Sequence, residues 1–185
     1  ALPSARGQGE PLTGRFRPAA GSAFAGVMLG EPADHVILAS SAGYGFITRL
    51  DELHSRNKSG KRVLTVPKGA GVVTPARIGD PENDFLVCAT SAGHLLGFWA
   101  EELPLMAKGK GNKLVNIPPA ARKAGEVLVA VAAVPEGGVL RVHAGQRYKR
   151  LGWDELDDYW GERAQRGRKL PQGFRHVDRL EVETD

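Results

Sequence analysis

The sequence predicts an all-β protein of the propeller-like class, in which small sheets repeat and pack against their neighbours. The first observation is that the 24 Gly and 12 Pro residues are spread along the whole chain, as expected where many short strands are joined by tight turns. The second is a repeat with a period of roughly 50 residues, which is typical of propeller blades. With 185 residues, 42% of them hydrophobic, the chain has the size and composition of one globular domain.

Each repeat is predicted to contain a β-hairpin closed by an Ala-Gly turn. The turn occurs as Ser-Ala-Gly at 41–43 and 91–93, and more faintly as His-Ala-Gly at 143–145. An apolar run precedes each turn, which indicates the first strand of a hairpin. The second strands are predicted in the β-rich runs at 44–48, 94–99 and 146–151.

An acidic pair followed by Leu stands after each hairpin, at 51–53, 101–103 and 154–156. We expect each triplet to form the first turn of a short helix, because acidic side chains favour the positive N-terminal end of a helix and the Leu can point into the core. A carboxylate pair in every repeat indicates architecture and not a unique catalytic acid pair.

A basic loop that contains glycine comes next, at 56–62, 108–113 and 163–169, and a further strand follows it. If the repeats are arranged radially, equivalent loops form a curved basic track suited to a bent polyanion. Such binding contacts phosphates, is insensitive to sequence and weakens with salt. The loop pattern predicts DNA contacts by Arg49, Arg56, Lys58, Lys61 and Arg62 in the first full repeat and by Lys108, Lys110 and Lys113 in the second. Along the same path, the residues predicted in the third repeat are Arg147, Lys149, Arg150, Arg166, Arg168 and Lys169.

The chain is expected to form a single domain over 1–185, with about three full four-stranded units and a partial one. The units run roughly over 1–30 (partial), 31–80, 81–125 and 126–185, and a closing strand is predicted within 177–183. The stretch 6–12 resembles the basic-loop phase of the repeat, and the chain has no initial Met. We therefore expect a piece that begins within a unit of a longer protein.

Several function classes lack their motifs. No Gly-rich stretch has the order of a P-loop or of a dinucleotide-binding fingerprint, and the five His residues show no metal-ligand spacing. The single cysteine, Cys88, lies in an apolar run, where a buried reduced thiol is expected. No apolar run approaches the roughly 18 residues of a membrane-spanning helix. We expect no cofactor, metal or membrane partner, and a reducing compartment.

The segments 42–46, 51–53, 89–93, 102–104 and 108–118, in this order, resemble the C-terminal domains of the A subunits of gyrase and topoisomerase IV, and most of all the topoisomerase IV branch. The run Lys-Gly-Lys-Gly-Asn-Lys at 108–113 is the most specific part of the resemblance, which also includes the entry at 5–14 and the exit at 161–182. It covers nearly the whole chain.

The resemblance implies a β-pinwheel, a propeller-like ring whose blades exchange strands and which is often broken in the topoisomerase IV branch. It implies a non-catalytic domain that binds and bends double-stranded DNA and positions it for ATP-dependent strand passage, decatenation and supercoil relaxation during chromosome segregation. The catalytic tyrosine and the ATP and Mg²⁺ sites would lie outside this chain, which alone would not be an enzyme.

The implied partners are double-stranded DNA and, in an A2B2 complex, the ATPase subunit together with a second A subunit; a chromosome-organising protein is a further one. The implied location is cytoplasmic, at the nucleoid.

Two alternatives to this function stay open. One is a DNA-wrapping domain of the gyrase type, although the Gln-Arg-Arg-Gly-Gly-Lys-Gly box of that branch does not occur here. The other is a protein-binding scaffold, in which Asp157 and Asp158, beside Tyr159 and Trp160, would contact a partner.

Overall fold

A computed structural model describes residues 9–183, and its regular elements are mainly strands. The strands are β1 (His35–Ser40), β2 (Tyr44–Arg49), β3 (Ala76–Ile78), β4 (Phe85–Thr90), β5 (His94–Trp99), β6 (Asn112–Lys113), β7 (Leu128–Val134), β8 (Leu140–Ala144), β9 (Arg147–Leu151), β10 (Arg168–Lys169) and β11 (Arg179–Val182). The helices are α1 (Leu12–Arg15), α2 (Leu50–Leu53), α3 (Pro119–Lys123) and α4 (Trp153–Asp157), with a 3-10 turn at Ala100–Glu102.

The strands form three antiparallel sheets, each centred on one predicted hairpin. Their orders are β3-β1-β2-β6, β7-β4-β5-β10 and β11-β8-β9. The predicted all-β, propeller-like class is confirmed, and the three sheets form an arc that does not close within the described residues. The third sheet has three strands there instead of the predicted four. In the described part of the partial unit, 9–30, the structure has α1 and no strand, and residues 1–8 lie outside the described range.

Short strands are exchanged between neighbouring sheets, so neither of the first two sheets is built from one predicted unit alone. The strand β6 leaves its own repeat and pairs with β2 of the first hairpin, where Lys113 lies opposite Tyr44. One repeat later, β10 pairs with β5 of the second hairpin, where Lys169 lies opposite His94. The strand β7 also completes the second sheet, although the predicted boundary at 125/126 puts it in the following unit. The predicted units 31–80 and 81–125 therefore do not coincide with separate sheets, whereas all three strands of the third sheet lie within 126–185.

The hairpin strands are continuously apolar because both faces of the first two sheets are covered. Ile37, Leu86 and Phe98 belong to a core between the first and second sheets. Val87 and Leu140 belong to a second core, between the second and third sheets. Burial on two faces removes the alternation of apolar and polar residues that marks a half-exposed strand.

Cys88 belongs to the core between the first two sheets and is fully buried, as predicted. Burial raises the pKa of this thiol to about 12, because the thiolate would lose its hydration. The side chain therefore acts as a small apolar group.

The acidic triplets form short helical turns, as predicted. They lie in α2, in the 3-10 turn and in α4, and Leu103 and Leu156 are buried. In the last two turns the second acid accepts a hydrogen bond from the backbone N–H three residues earlier, Glu102 from Trp99 (3.3 Å) and Glu155 from Gly152 (3.0 Å). These carboxylates cap the turns, which supports their architectural interpretation.

The strand order defines an inner and an outer edge of the arc. The strands β3, β7 and β11, one from each sheet, contact each other in succession and so line the inside. The exchanged strands β6 and β10 stand at the opposite edge of their sheets and lie on the outside.

The third sheet has a polar outward face. On the face turned away from the second sheet it carries Arg141, His143, Tyr148 and Arg150, and Glu181 of β11 lies opposite Arg141. Among residues 9–183 no further sheet covers this face, and its polar side chains are suited to contact with water.

Exchange of β6 depends on Gly111, and we expect Gly111→Ala to destabilise the fold by roughly 3 kcal/mol, from left-handed backbone strain and a steric clash. Gly111 has φ +78, and an added Cβ would collide with the carbonyl group of Gly45. Gly60 is the matched control, because it has the same φ of +78 and nothing within 4 Å of its added Cβ. We expect Gly60→Ala to cost only about 1 kcal/mol. Urea unfolding of both variants measures the difference, and equal losses would contradict the role of the close approach.

Candidate nucleic-acid interface

Backbone hydrogen bonds join the three predicted basic loops in a row. The N–H of Thr65, just after the first loop, donates to the carbonyl of Gly109 in the second loop (2.8 Å), and the N–H of Gly109 donates to the carbonyl of Val63 (2.9 Å). The second and third loops are joined in the same way, between 114–116 and 164–165, by bonds of 2.8 and 2.9 Å. Loops that are far apart in sequence are therefore neighbours in space.

The row lies at the outer edge of the arc, because the last two residues of the second and third loops form the exchanged strands β6 and β10. The strand that the sequence predicts after each of these loops is thus part of the loop itself. Gly111 precedes β6 and Gly167 precedes β10, with φ +78 and +77. Each packs against the second hairpin strand of the preceding sheet, so the two loops enter their sheets in the same way. These two loops stand at the same place in successive repeats, and they also occupy equivalent positions in the structure, as the repeat predicted.

Most of the predicted residues on the three loops and on the exchanged strands are exposed. We call this set the basic rim: Arg56, Lys58, Lys61, Arg62, Lys108, Lys110, Arg168 and Lys169. None of them forms an ion pair with any residue in 9–183. Their charges are thus available to an anion.

Two lysines of the second loop are oriented by neighbouring side chains. The ammonium group of Lys110 lies 4.3 Å from the ring centroid of Tyr44, a cation–π contact that holds it against the outer end of the first sheet. Lys113 is half-buried in β6, and its Nζ donates to Oδ1 of Asn116 (2.7 Å). Lys110 therefore faces solvent more freely than Lys113.

Arg166 is engaged in a partly buried ion pair and so fixes the third loop. Its guanidinium donates two hydrogen bonds of 2.6 Å to the carboxylate of Glu126, which is 7% exposed. Thr90 donates a further bond of 2.6 Å to Glu126. Burial alone would raise the pKa of Glu126, but the hydrogen bonds from Arg166 and Thr90 outweigh it and lower the pKa below its ordinary value. The charge of Arg166 is therefore used within the protein, where it stabilises the fold.

The remaining predicted residues lie away from the rim or have partners. Arg49 ends β2, about 17 Å of strand from the residues that pair with β6, and it is ion-paired with Asp51. Arg150 forms two hydrogen bonds with Glu183 (2.7 and 2.8 Å), and Lys149 lies 3.4 Å from Glu155. Arg147 donates to the carbonyl of Gly173 (3.2 Å) and lies over Phe174. The role of all these residues in DNA binding stays a prediction.

Sequence reasoning missed the residues that hold the loops. Glu126 stands in a connecting segment of variable composition, and no local pattern relates it to Arg166, 40 residues later. The sequence identifies Tyr44 only as a strand residue, because its contact with Lys110 depends on the exchange of β6. The signal that could have found both is the repeat itself, since it predicts which loops meet.

Clustered metal ligands and membrane helices are both absent from the described residues. Within 9–183, no group of three or more His, Cys, Asp or Glu side chains is arranged to hold a metal ion. In the same range, no helix has the length and apolar character needed to cross a bilayer.

Comparison with known proteins gives consistent matches. The family model for the DNA gyrase C-terminal domain, a β-propeller, matches residues 34–78. The chain is 45% identical to the A subunit of DNA topoisomerase 4 from Pseudomonas aeruginosa, over 98% of this chain and 24% of that protein. It is 40% identical to the Escherichia coli K12 protein of the same name, over 99% of this chain and 24% of that protein. The chain thus spans about a quarter of the length of these relatives.

A solved structure of the E. coli ParC C-terminal domain matches with a TM-score of 0.84 and 38% identity, over 100% of this chain and 74% of that one. The chain belongs to the family of C-terminal domains of topoisomerase IV A subunits. A DNA gyrase A C-terminal domain, at 16% identity and a TM-score of 0.64 over 83% of this chain and 50% of that one, shares the fold. The strand exchange of this topoisomerase IV-type domain is the β-pinwheel architecture expected from the sequence.

Loss of the Arg166 guanidinium should leave the Glu126 carboxylate buried and poorly compensated. We expect Arg166→Met to lower the free energy of unfolding by about 2 kcal/mol, less than for a fully buried pair because Arg166 is partly exposed. Arg168→Met, two residues away in the chain, should change it by no more than about 0.5 kcal/mol. Chemical denaturation measures both. Equal effects would contradict the structural role of Arg166, and the added change Glu126→Gln should restore part of its loss.

Glu183 should make the third sheet sensitive to acid. Hydrogen bonds from Arg150 and Arg141 lower the pKa of this carboxyl from its ordinary 4.5 to about 2. Its stabilising contribution is therefore complete above pH 4.5 and is lost as the pH falls toward 2. Thermal unfolding between pH 5 and 2 should show a smaller loss of stability in Glu183→Gln than in the parent chain. The exposed Glu136→Gln is the control, and the idea fails if both variants keep the parent's pH dependence.

Proposed function

We propose that this domain binds double-stranded DNA along the basic rim and bends it, as a non-catalytic part of a type IIA topoisomerase, topoisomerase IV. The observation that carries the proposal is the row of basic loops at the outer edge, linked by backbone hydrogen bonds. The arc turns from sheet to sheet, so the row is curved, and a stiff duplex that follows it must bend. Favourable phosphate contacts along the rim would offset the elastic cost of that bend.

The chemistry of the rim supports phosphate contacts without reading of bases. Lys and Arg side chains on flexible loops neutralise phosphates, and glycines such as Gly109 and Gly111 let the backbone N–H groups approach phosphate oxygens. No long helix is present among residues 9–183 to enter a major groove. Binding should thus be insensitive to sequence.

The proposal extends to the whole protein through the names of its relatives. As part of a topoisomerase IV A subunit, the domain would position DNA for strand passage, decatenation and supercoil relaxation. It would do so at the bacterial nucleoid, in an A2B2 complex with the ATPase subunit. The catalytic tyrosine and the ATP and Mg²⁺ sites would belong to other parts of that complex. Because the sequence has no Gln-Arg-Arg-Gly-Gly-Lys-Gly box, we propose bending in preference to gyrase-type wrapping.

Salt-dependent DNA affinity tests the proposal. Fluorescence anisotropy with a duplex of ~40 base pairs gives the slope of log affinity against log salt, which falls by about 0.9 for each phosphate contact that a substitution removes. We expect Lys108→Gln with Lys110→Gln to reduce the slope by about 1.8, and Arg168→Gln with Lys169→Gln to reduce it by a similar amount. Energy transfer between dyes at the duplex ends should show a shorter distance in the complex.

Arg77 provides the matched control for charge, because it lies on the inner strand β3 and is ion-paired with Asp34. Arg77→Gln removes the same charge and should leave the slope unchanged. An affinity independent of salt would overturn the proposal in favour of a protein-binding scaffold. An effect of Arg77→Gln as large as that of a single rim residue would show that only net charge matters.

A further inference from the structure

A recess of about 270 Å³ lies where the second and third sheets meet, away from the basic rim. Its apolar walls come from Phe85 and Trp99 of the second sheet, and from Trp153, Leu156 and Trp160 in and just after α4. Phe85 and Trp99 face each other across the end of the hairpin β4-β5 opposite to its turn. They are thus about 17 Å of strand from the residues that pair with β10.

The aromatic walls are held by packing. The Phe85 ring lies edge-on to Trp99 and to Trp153, with ring centroids 5.3 and 5.9 Å apart. Gly97 leaves the room for this arrangement, because an added Cβ would collide with the Phe85 ring. The segment that carries Trp160 is fixed by a 2.9 Å hydrogen bond from the N–H of Gly97 to the carbonyl of Tyr159. Trp160 itself is 53% exposed.

Two carboxylates accompany these rings. Asp154 and Asp157 line the recess from one face of α4, where residues three apart are neighbours. Both are exposed, and neither forms an ion pair with another residue in the described range. The chain has a net charge of +4, so these two carboxylates without ion-pair partners in the described range form a locally acidic site.

Aromatic faces and free carboxylates together complement a cation with a flat, weakly hydrated surface. An arginine side chain meets both requirements, since its guanidinium stacks on aromatic rings and donates hydrogen bonds to carboxylates. A DNA phosphate is repelled by the same carboxylates. We propose that this recess binds an arginine side chain presented by a basic segment of a partner protein.

The tryptophan content allows a direct test, because the three Trp residues of the whole chain all line this recess. Intrinsic fluorescence of the 185-residue chain therefore reports on this site. Titration with the blocked peptide acetyl-Gly-Arg-Arg-Gly-amide should give a saturable change in emission. The same peptide with citrulline in place of arginine keeps the shape and loses the charge, and we expect its affinity to be at least tenfold lower.

Variants distinguish the recess from general attraction of basic peptides. Asp154→Asn with Asp157→Asn should lower the affinity for the arginine peptide at least tenfold and leave DNA affinity unchanged. Glu101→Gln is the control, because Glu101 is the exposed residue of the second acidic triplet that corresponds to Asp154. It should leave peptide binding unaltered.

Equal affinity of the arginine and citrulline peptides would overturn the proposal, and this comparison needs no variant. So would an unchanged affinity in the double Asp variant, or an equal loss in Glu101→Gln. If the double Asp variant shows no cooperative thermal unfolding, the proposal is judged only by comparing the affinities of the arginine and citrulline peptides for the parent chain. The proposal does not depend on DNA binding, since the rim variants leave this recess intact.

Discussion

The pairing of each short exchanged strand with the preceding hairpin is the interaction on which the rest of the structure depends. A two-stranded hairpin is barely stable in water, and the first two hairpins here each gain a further strand from a later repeat. The exchanged strand is only two residues long in both cases, so its position is fixed by the glycine before it and by buried residues after it, such as Leu114 and Leu170. Packing on both sides of the connection makes neighbouring sheets one cooperative unit.

The same exchange arranges the charges. Because the second and third basic loops end in the exchanged strands, their lysines and arginines are carried to the outer edge of the preceding sheet. The fold then separates two kinds of basic residue. Some, such as Arg166, use their charge within the protein to hold a loop in place. Others are exposed and form no ion pair within the described range, such as Arg168 on the loop that Arg166 holds and Lys108 on the neighbouring loop. The net charge of the chain does not show which basic residues are paired within the protein and which are free.

The third sheet differs from the first two on its outward face. On this face the third hairpin carries polar residues that bind two carboxylates, His143 to Glu181 and both Arg141 and Arg150 to Glu183. Such pairs are satisfied in water and need no further sheet to cover them. The junction before this sheet differs from the preceding one, since Trp153 and Trp160 stand where α2 and the 3-10 turn have no aromatic residue. These two tryptophans leave a recess at the junction, beside carboxylates that form no ion pair within the described residues. This arrangement favours a binding role for the junction over a role in packing alone.

The sequence by itself determined the all-β class, the hairpins, the capped helical turns and the phase of the basic loops, because each depends on residues within a few positions of each other. Apolar runs, turn glycines and acidic first turns are local properties, and the hairpins and acidic turns appear in the structure where the sequence predicts them. The strands predicted after the basic loops do not, because β6 and β10 lie within their loops and the first loop is followed only by an isolated bridge at Leu64. The family resemblance added strand exchange. Only the tertiary structure decided which sheet each exchanged strand joins, that Glu126 engages Arg166, that Arg150 is occupied by Glu183, and that three tryptophans from two repeats meet beside Asp154. These contacts join residues tens of positions apart, and whether a charge is free or paired depends on such distant partners, which no local pattern specifies.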